Sequence, residues 1–152
     1  MDMVGNMKKL FIIFALFFLS TPVFAGGVGY INYDKVISNY QYAKNILREI
    51  ETKNNEIQQF LIQKEAEFGK IDSPIQKKKF EDSVRVELQA KEKAFNVFRE
   101  KKEDEVYNRI HAVSEKIRLE QNLDAILDAR SIFSGGVDIT DKLINTLNSG
   151  AK

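Results

Sequence analysis

The fold of this chain is decided by the stretch AKNILREIETKNNEIQQFLIQKEAEFGKIDSP, residues 43–74. Its apolar positions recur in alternating steps of four and three residues, which is the heptad pattern of packed helices. The predicted seam comprises Ala43, Leu47, Ile50, Asn54, Ile57, Leu61, Lys64 and Phe68. No proline or glycine interrupts residues 40–68. We therefore expect a helix of about 30 residues, roughly 45 Å long.

The segment GKIDSP, residues 69–74, ends this helix. Gly69 is expected in the left-handed conformation that often ends helices, and Ser73 is expected to cap a second helix with Pro74 in its first turn. The second helix is predicted over residues 74–121. Its apolar seam comprises Phe80, Val84, Leu88, Phe95, Phe98, Val106, Ile110, Val113 and Ile117. Between Phe98 and Val106 the steps are four and four, which resembles a stutter.

Two long amphipathic helices joined by a short connection predict an antiparallel hairpin. We expect it to form an arm over residues 41–121, with its tip near residues 69–76. The arm must project, because helices of this length exceed the size of a compact domain of this mass. Polar side chains enter the seam at Asn54, Lys64, Lys91 and Lys102. The sequence therefore predicts a partly stable, flexible arm with apolar residues exposed on one face.

The two ends of the chain carry the strand signals. VGYINYDKVI, residues 28–37, predicts a short strand over residues 28–33 and a turn of helix over residues 34–39, capped by Asp34. LDAILDARSIF, residues 123–133, predicts one or two short strands, interrupted at residues 128–130. Because these pieces flank the arm, we expect them to meet in a small sheet at its base.

This base is predicted to be a body made of residues 26–40 and 122–152. Its candidate core positions are Val28, Tyr30, Ile31, Ala125, Ile126, Leu127, Ile132 and Phe133. One chain supplies few apolar residues there, so the pattern favours oligomerisation.

The stretch SGGVDITDK, residues 134–142, could be a phosphate cradle, a metal loop or the beginning of a helix. No further acidic, histidine or lysine group is arranged to assist a ligand there. Asp138 and Asp141 have the spacing of a helix cap and a third-position acid, and Gly135 and Gly136 permit a sharp turn. We therefore predict a structural corner that leads into a terminal helix over residues 138–148.

The N-terminal residues 1–25 have the layout of a secretory signal peptide. Lys8 and Lys9 precede the ten-residue apolar run LFIIFALFFL, and Val23 and Ala25 are small residues at the expected cleavage site. We expect cleavage between Ala25 and Gly26; an uncleaved N-terminal anchor is the alternative. The run is shorter than the roughly 20 residues that span a bilayer. The sequence therefore predicts export from the cytoplasm.

Charge and composition narrow the function further. The chain has 23 basic and 22 acidic side chains, so nothing predicts a nucleic-acid partner. It has no cysteine and one histidine, His111, which does not make a usual zinc site. No phosphate loop, calcium loop or nucleophile elbow is present. We predict no enzyme, no nucleotide site, no metal and no cofactor.

Two features of the arm are candidate binding surfaces. Lys70, Lys77, Lys78 and Lys79 make the tip basic, for anionic lipid headgroups or acidic segments, with ordinary helix solvation as the alternative. Five phenylalanines follow the arm; as seam residues they are hairpin core, and some of them are expected to line a concave surface that binds apolar segments of another protein. They are Phe60, Phe68, Phe80, Phe95 and Phe98.

The chain resembles the OmpH family of periplasmic chaperones over residues 28–148. The resemblance rests on the signal peptide, the long charged hairpin and three segments: GYINYDKVISNY (29–40), LDAILDA (123–129) and GGVDITDKLI (135–144). It implies an α+β fold in which a helical hairpin projects from a small β-sheet body, and a jellyfish-like homotrimer. The body positions above would then be trimer contacts.

The resemblance also implies an ATP-independent holdase in the periplasm. Unfolded outer-membrane proteins would be held in a cavity between three arms until they reach the membrane. A transient contact of the tips with an anionic membrane surface is a further expectation. The alternative is a coiled-coil structural or adaptor protein of the cell envelope, which needs only the heptads and the signal peptide.

Overall fold

The computed structural model describes residues 26–150, so the predicted signal peptide, including Ala25, lies outside the described residues. Two long helices and a small sheet dominate this part of the chain. In chain order the elements are β1 (Gly27–Ile31), α1 (Tyr33–Asn39), α2 (Gln41–Phe68), α3 (Pro74–Glu120), β2 (Leu123–Asp128), a 3-10 turn (Ala129–Ser131), β3 (Val137–Asp138) and α4 (Thr140–Ser149).

The helices α2 and α3 pack antiparallel, which confirms the predicted hairpin. At the tip, the rings of Phe68 and Phe80 lie with centroids 6.3 Å apart. Nearer the root, Lys102 Nζ lies 3.1 Å from a carboxylate oxygen of Glu49. The long second helix forms because residues 74–120 contain no glycine and a proline only at the first position, where a missing N–H costs nothing.

The seam of α3 follows the sequence pattern, whereas the seam of α2 departs from it at two positions. Ile46 and Phe60 are buried, while Leu47 and Leu61 are 52 % and 36 % exposed. At both places the sequence has two adjacent apolar residues, and either of them could occupy the apolar heptad position. Packing against α3 selects the other member of each pair, and the prediction that Leu47 and Leu61 lie in the seam is wrong.

The lysines in the seam contact phenylalanine rings. The ammonium of Lys91 lies 4.8 Å from the ring centroid of Phe60, and that of Lys64 lies 5.7 Å from the centroids of both Phe60 and Phe80. Lys102 lies 5.8 Å from the Phe98 ring. Such cation–π contacts let the aliphatic stems pack while the charged ends stay at the edge.

The sheet has the order β2–β1–β3, and both pairings are parallel. β1 is therefore the central strand, although it comes first in the chain. Gly29 pairs with Ile126 on the face that packs against the helices, where Ile31 is also buried. Val28 pairs with Ala125 on the opposite face, and Tyr30 pairs with Leu127.

The hydrophobic core lies at the base, where the sheet, α1, α4 and the roots of the arm helices meet. Its buried members are Ile31, Val36, Tyr40, Ala43, Ile46, Val106, Ile110, Ile117, Leu123, Ile139, Leu143, Ile144 and Leu147. Between residues 47 and 105 the only buried hydrophobic side chain is Phe60. The arm is thus held by half-buried contacts beyond its root.

Several helix ends differ from the predictions. Asn32, not Asp34, caps α1, because α1 begins one residue earlier and the Asn32 side chain accepts the N–H of Lys35 at 2.9 Å. Gly69 is right-handed, with φ −61° and ψ −18°, so α2 ends in a tight right-handed turn. The Ser73 side chain makes no capping hydrogen bond to α3.

The C-terminal strand prediction is correct only in part. β2 ends at Asp128, whose carboxylate accepts hydrogen bonds from the backbone and side chain of Arg130 and turns the chain into the 3-10 segment. Ile132 and Phe133 therefore lie outside any strand. The third strand, β3, falls in the stretch predicted as a corner. Among residues 26–150, no helix is long and apolar enough to cross a membrane.

Candidate functional site

Three apolar grooves open along the arm, between α2 and α3. The one nearest the tip, here called the tip groove, has a volume of about 370 Å³. Its lining comprises Leu61, Lys64, Glu65, Phe68, Phe80, Glu81, Val84, Arg85 and Leu88. The half-buried ring pair of Phe68 and Phe80 forms part of its wall.

The middle groove, of about 340 Å³, opens on the other side of the hairpin. Its lining comprises Lys53, Glu56, Ile57, Lys91, Ala94, Phe95 and Phe98. The side follows from helix geometry. Glu56 and Ala94, in the middle groove, come one residue before a seam position. Leu61 and Glu81, in the tip groove, come one residue after a seam position. Residues before and after the seam lie on opposite sides of the hairpin.

The root groove, of about 170 Å³, lies where the arm joins the body. Its lining comprises Tyr33, Ile37, Ala43, Ile46, Leu47, Ile50, Glu103 and Val106. Leu47 and Glu103 each follow a seam position, so the root groove opens on the same side as the tip groove. This side, with Leu47 and Leu61 exposed on it, is called the apolar side of the arm.

The five predicted phenylalanines are divided between these environments. Phe60 is buried within the hairpin, so it is core. Phe68 and Phe80 line the tip groove, and Phe95 and Phe98 line the middle groove. The concave surface predicted for some of them corresponds to two grooves that open on opposite sides of the hairpin. The role of these residues in binding remains a prediction.

The apolar side carries two residues, Leu47 and Leu61, that the heptad pattern predicted in the interior of the hairpin. Leu47 and Leu61 are separated by fourteen positions, two heptads, and so lie on one stripe of α2. The adjacent apolar pairs at positions 46–47 and 60–61 were the available signal. A pair of neighbouring apolar residues cannot both face one partner helix, because they lie about 100° apart around the axis.

The tip is basic, and its lysines lack ion-pair partners in the part of the chain that the structure describes. Within residues 26–150, Lys70, Lys77, Lys78 and Lys79 make no ion pair within 4.0 Å. Lys77 instead lies 5.2 Å from the Phe68 ring centroid. Ile75, in the first turn of α3, is 72 % exposed beside them. Unpaired cations next to an exposed isoleucine form an amphipathic surface.

The outer face of the sheet is apolar and uncovered within the chain. Val28 and Leu127 are both exposed there, and Tyr30 and Ala125 are half-buried between them. Phe133, in the following loop, is fully exposed. Ile31 and Ile126, by contrast, face the core of the same chain. Of the predicted trimer positions, those on the outer face and Phe133 in the loop are exposed or half-buried at the surface, whereas Ile31 and Ile126 are held in the core of the chain.

The glycine-rich corner is a turn of the body. Gly135 and Gly136 have φ values of 80° and 89°, a conformation that side chains with Cβ disfavour. The Asp138 carboxylate accepts the N–H of Thr140 at 2.9 Å, and Asp141 pairs with Lys35 at 2.8 Å. The helix begins at Thr140, so Ile139 occupies the cap position predicted for Asp138. All four residues act within the chain.

No cluster of three or more metal-ligating side chains is found in residues 26–150. His111 stacks on Tyr107, with ring centroids 6.1 Å apart, on an exposed face of α3. The grooves, the outer sheet face and the tip are apolar or basic surfaces.

Comparisons with known proteins identify the family of this chain. Residues 27–147 match the model of the family described as outer membrane protein (OmpH-like). A search of curated proteins returned no match. A crystal structure from Caulobacter crescentus CB15, named as an OmpH-like outer membrane chaperone, shares 12% identity and a TM-score of 0.41, covering 84% of this chain and 86% of that one. Because the family model spans both the arm and the body, the chain belongs to the OmpH family.

Proposed function

We propose that this protein is an ATP-independent periplasmic holdase that keeps unfolded outer-membrane proteins from aggregating. The observation that carries the proposal is the arm itself, within a chain of the OmpH family. Beyond its root it buries one phenylalanine and leaves apolar grooves open to solvent. A helix pair that served only as a spacer would be expected to lack open apolar grooves, since exposed apolar surface favours association with other chains.

Assembly as a homotrimer is the second part of the proposal. The outer sheet face, with Val28, Tyr30, Ala125 and Leu127, is the surface that other copies would cover. β2 and β3 are edge strands, and exposed edges favour pairing or coverage by another chain. In a trimer the three arms would leave the body together and enclose a cavity.

Within this proposal, the apolar side of the arm holds the client. The tip and root grooves open there, and Leu47 and Leu61 stand beside them. Open grooves of this size accept single large apolar side chains of an extended segment, without requiring one sequence. Many weak contacts of this kind suit a chaperone that binds unfolded chains and later releases them.

The test uses the full chain without its first 25 residues and a urea-denatured β-barrel protein. The wild type is expected to suppress aggregation after dilution, as measured by light scattering. The double substitution L47E/L61E is expected to weaken suppression about tenfold or more, because it places two charges where apolar segments would bind.

The matched control is I62E. Ile62 is 57 % exposed on the same helix, but it lies on the side that faces away from α3. It should leave suppression unchanged, so equal loss in L47E/L61E and I62E would contradict the assignment of the apolar side. Absence of suppression by the wild type would overturn the holdase proposal. A stoichiometric folded partner recovered in pull-downs would favour the adaptor alternative.

We also propose that the basic tip makes transient contact with an anionic membrane surface. Four lysines that form no ion pair with any described residue, and the exposed Ile75, support this proposal. Lysines near an anionic surface contribute about 1 kcal/mol each, and the attraction decays within a Debye length. Such a contact would be weak and salt-dependent, which fits delivery of a client better than permanent anchoring.

A further inference from the structure

The helical connection between the body and the arm, from α1 into α2, is interrupted at one residue. Tyr40 separates α1 from α2 with φ −81° and ψ 114°, outside the helical region. Its N–H bonds to Val36 O at 2.8 Å and closes α1, while its carbonyl accepts the N–H of Lys44 at 3.0 Å and opens α2. Its side chain is 2 % exposed, so the break is fixed in the core.

Such a break leaves backbone groups unpaired on both sides. The last carbonyls of α1 and the first N–H groups of α2 have no partner within their own helices. Tyr40 makes no side-chain hydrogen bond that would cap α2. The partners must therefore come from elsewhere in the chain or from water.

One side chain, Asn148, supplies a partner on each side of the break. Its Oδ1 accepts the N–H of Gln41, the first residue of α2, at 2.9 Å. Its Nδ2 donates to the carbonyl of Asn39, the last residue of α1, at 3.0 Å. A side-chain amide can do this because its acceptor oxygen and its donor nitrogen are separate atoms.

Asn148 is held in place because α4 is fastened to α1 near the beginnings of both helices. At the beginning of α1, the N–H of Asn32 donates to Thr140 Oγ1 at 2.9 Å. Lys35 and Asp141 form an ion pair at 2.8 Å in the next turn. α4 therefore runs beside α1 in the same direction, and its last turn reaches the break at Tyr40.

We infer that Asn148 is a positioning residue that fixes the orientation of the arm on the body. It caps α2 from another helix and ties that cap to the end of α1. Loss of this side chain should leave both helices formed and allow the root of α2 to move relative to α1. These contacts set the geometry of the arm whether or not the arm binds clients.

The experiment measures the orientation and the hydrogen bond separately. The chain has no cysteine, so labels can be placed on Q76C at the tip and D34C on α1. Double electron–electron resonance, with labelled chains diluted in unlabelled ones, gives the distance distribution within one chain. Hydrogen exchange reports the Gln41 amide. N148L is expected to broaden the distribution and to accelerate Gln41 exchange about fivefold to tenfold.

Two variants make the result specific. N148D retains the acceptor for Gln41 but cannot donate to Asn39, so Gln41 should stay protected while the distribution broadens. N145L is the matched control, because Asn145 is exposed one turn earlier on the same helix. If N148L keeps the Gln41 exchange and the distance distribution of N145L, Asn148 does not position the arm. Circular dichroism confirms that each variant is folded.

Discussion

Gly135 and Gly136 are neighbours with the same backbone handedness and different surroundings. Both have positive φ, but a Cβ at Gly135 would meet no atom within 4 Å. A Cβ at Gly136 would lie 3.1 Å from the Val28 carbonyl oxygen and 3.1 Å from the Tyr30 ring. Gly136 therefore permits the close approach of the corner to β1, in addition to the turn.

We expect G135A and G136A to differ for this reason. G135A should lower the free energy of unfolding by about 1 kcal/mol, the usual cost of a left-handed residue with Cβ. G136A should cost about 1–3 kcal/mol more, because backbone of β1 must move. Urea unfolding of the two variants measures the difference, and equal costs would contradict the role of the contact with β1.

Asp138 links the stability of this corner to pH. The hydroxyl and backbone N–H of Thr140 hold the pKa of Asp138 below its ordinary value. The folded state therefore releases this proton more readily than the unfolded state. The stabilisation is present above the ordinary aspartate pKa of about 3.9 and is lost as pH falls through the lower, folded value.

D138N should consequently lose less stability than the wild type between about pH 5 and pH 2. The side chain is exposed, so the effect is small. Urea unfolding across this pH range compares the slopes of the two proteins. Parallel slopes would show that Thr140 does not favour the charged form of Asp138.

At the scale of elements, the arm is stabilised unevenly along its length. Phe60 is the single buried side chain beyond the root, and the ammonium groups of Lys64 and Lys91 lie over its ring. Phe95 is half-buried at the edge of the middle groove. The contacts of Phe60 thus hold the two helices together midway, where no other side chain is enclosed.

F60A should therefore open the arm while leaving the body intact. A buried Phe to Ala change costs about 3–5 kcal/mol. Hydrogen exchange should accelerate for amides of residues 50–100 and remain unchanged in the sheet and α4. F95A is the control and should have a smaller effect. Uniform acceleration through the body would show that arm and body unfold as one unit.

The basic tip is also an element-scale feature, since its lysines act together. Replacement of Lys77, Lys78 and Lys79 by glutamate should weaken binding to anionic vesicles about 100-fold or more at low salt. Co-sedimentation with vesicles measures this. The same charge change at Lys44, Lys93 and Lys101, away from the tip, should have less effect. Equal effects of both triple variants would assign the binding to net charge alone.

The sequence predicts the helices of this chain better than their faces. Uninterrupted heptads and the 69–74 break are enough for the hairpin, since both are local signals. The choice of Ile46 over Leu47 depends on α3, which periodicity within α2 cannot reveal. β3 has two residues and no strand pattern of its own, so it exists only because β1 lies beside it. The contacts of Asn148 likewise could not be predicted from a local sequence pattern, because they join segments that are far apart in the chain.

At the scale of the whole molecule, the outer sheet face determines how chains would associate. L127D places a charge on this face, where the side chain is 41 % exposed in the single chain, so the body should remain folded. Burying an unpaired charge in an interface costs several kcal/mol, and the trimer should dissociate. Light scattering should give the mass of three chains for the wild type and of one for L127D.

V97D is the control for that measurement. Val97 is an exposed valine on α3 of the arm, far from the sheet in sequence, and its substitution should leave the trimer intact. Ile126 is less suitable for this test because it packs against the core of its own chain. A monomeric wild type would exclude the trimer, and a trimeric L127D would move the interface away from the outer face.

The central position of β1 has a consequence for how the chain folds. Within residues 26–150, β1 comes first and pairs only with strands near the C-terminus, and the N–H of its neighbour Asn32 donates to Thr140, 108 positions later. We therefore expect that folding does not begin with the sheet, because closing so long a loop is entropically unfavourable and slow. The hairpin contains mostly local contacts and brings residues 41 and 120 to the same end. Once the arm has formed, the two ends of the chain lie close together and the strands can pair. Slow formation of the arm would therefore limit the folding rate of the body.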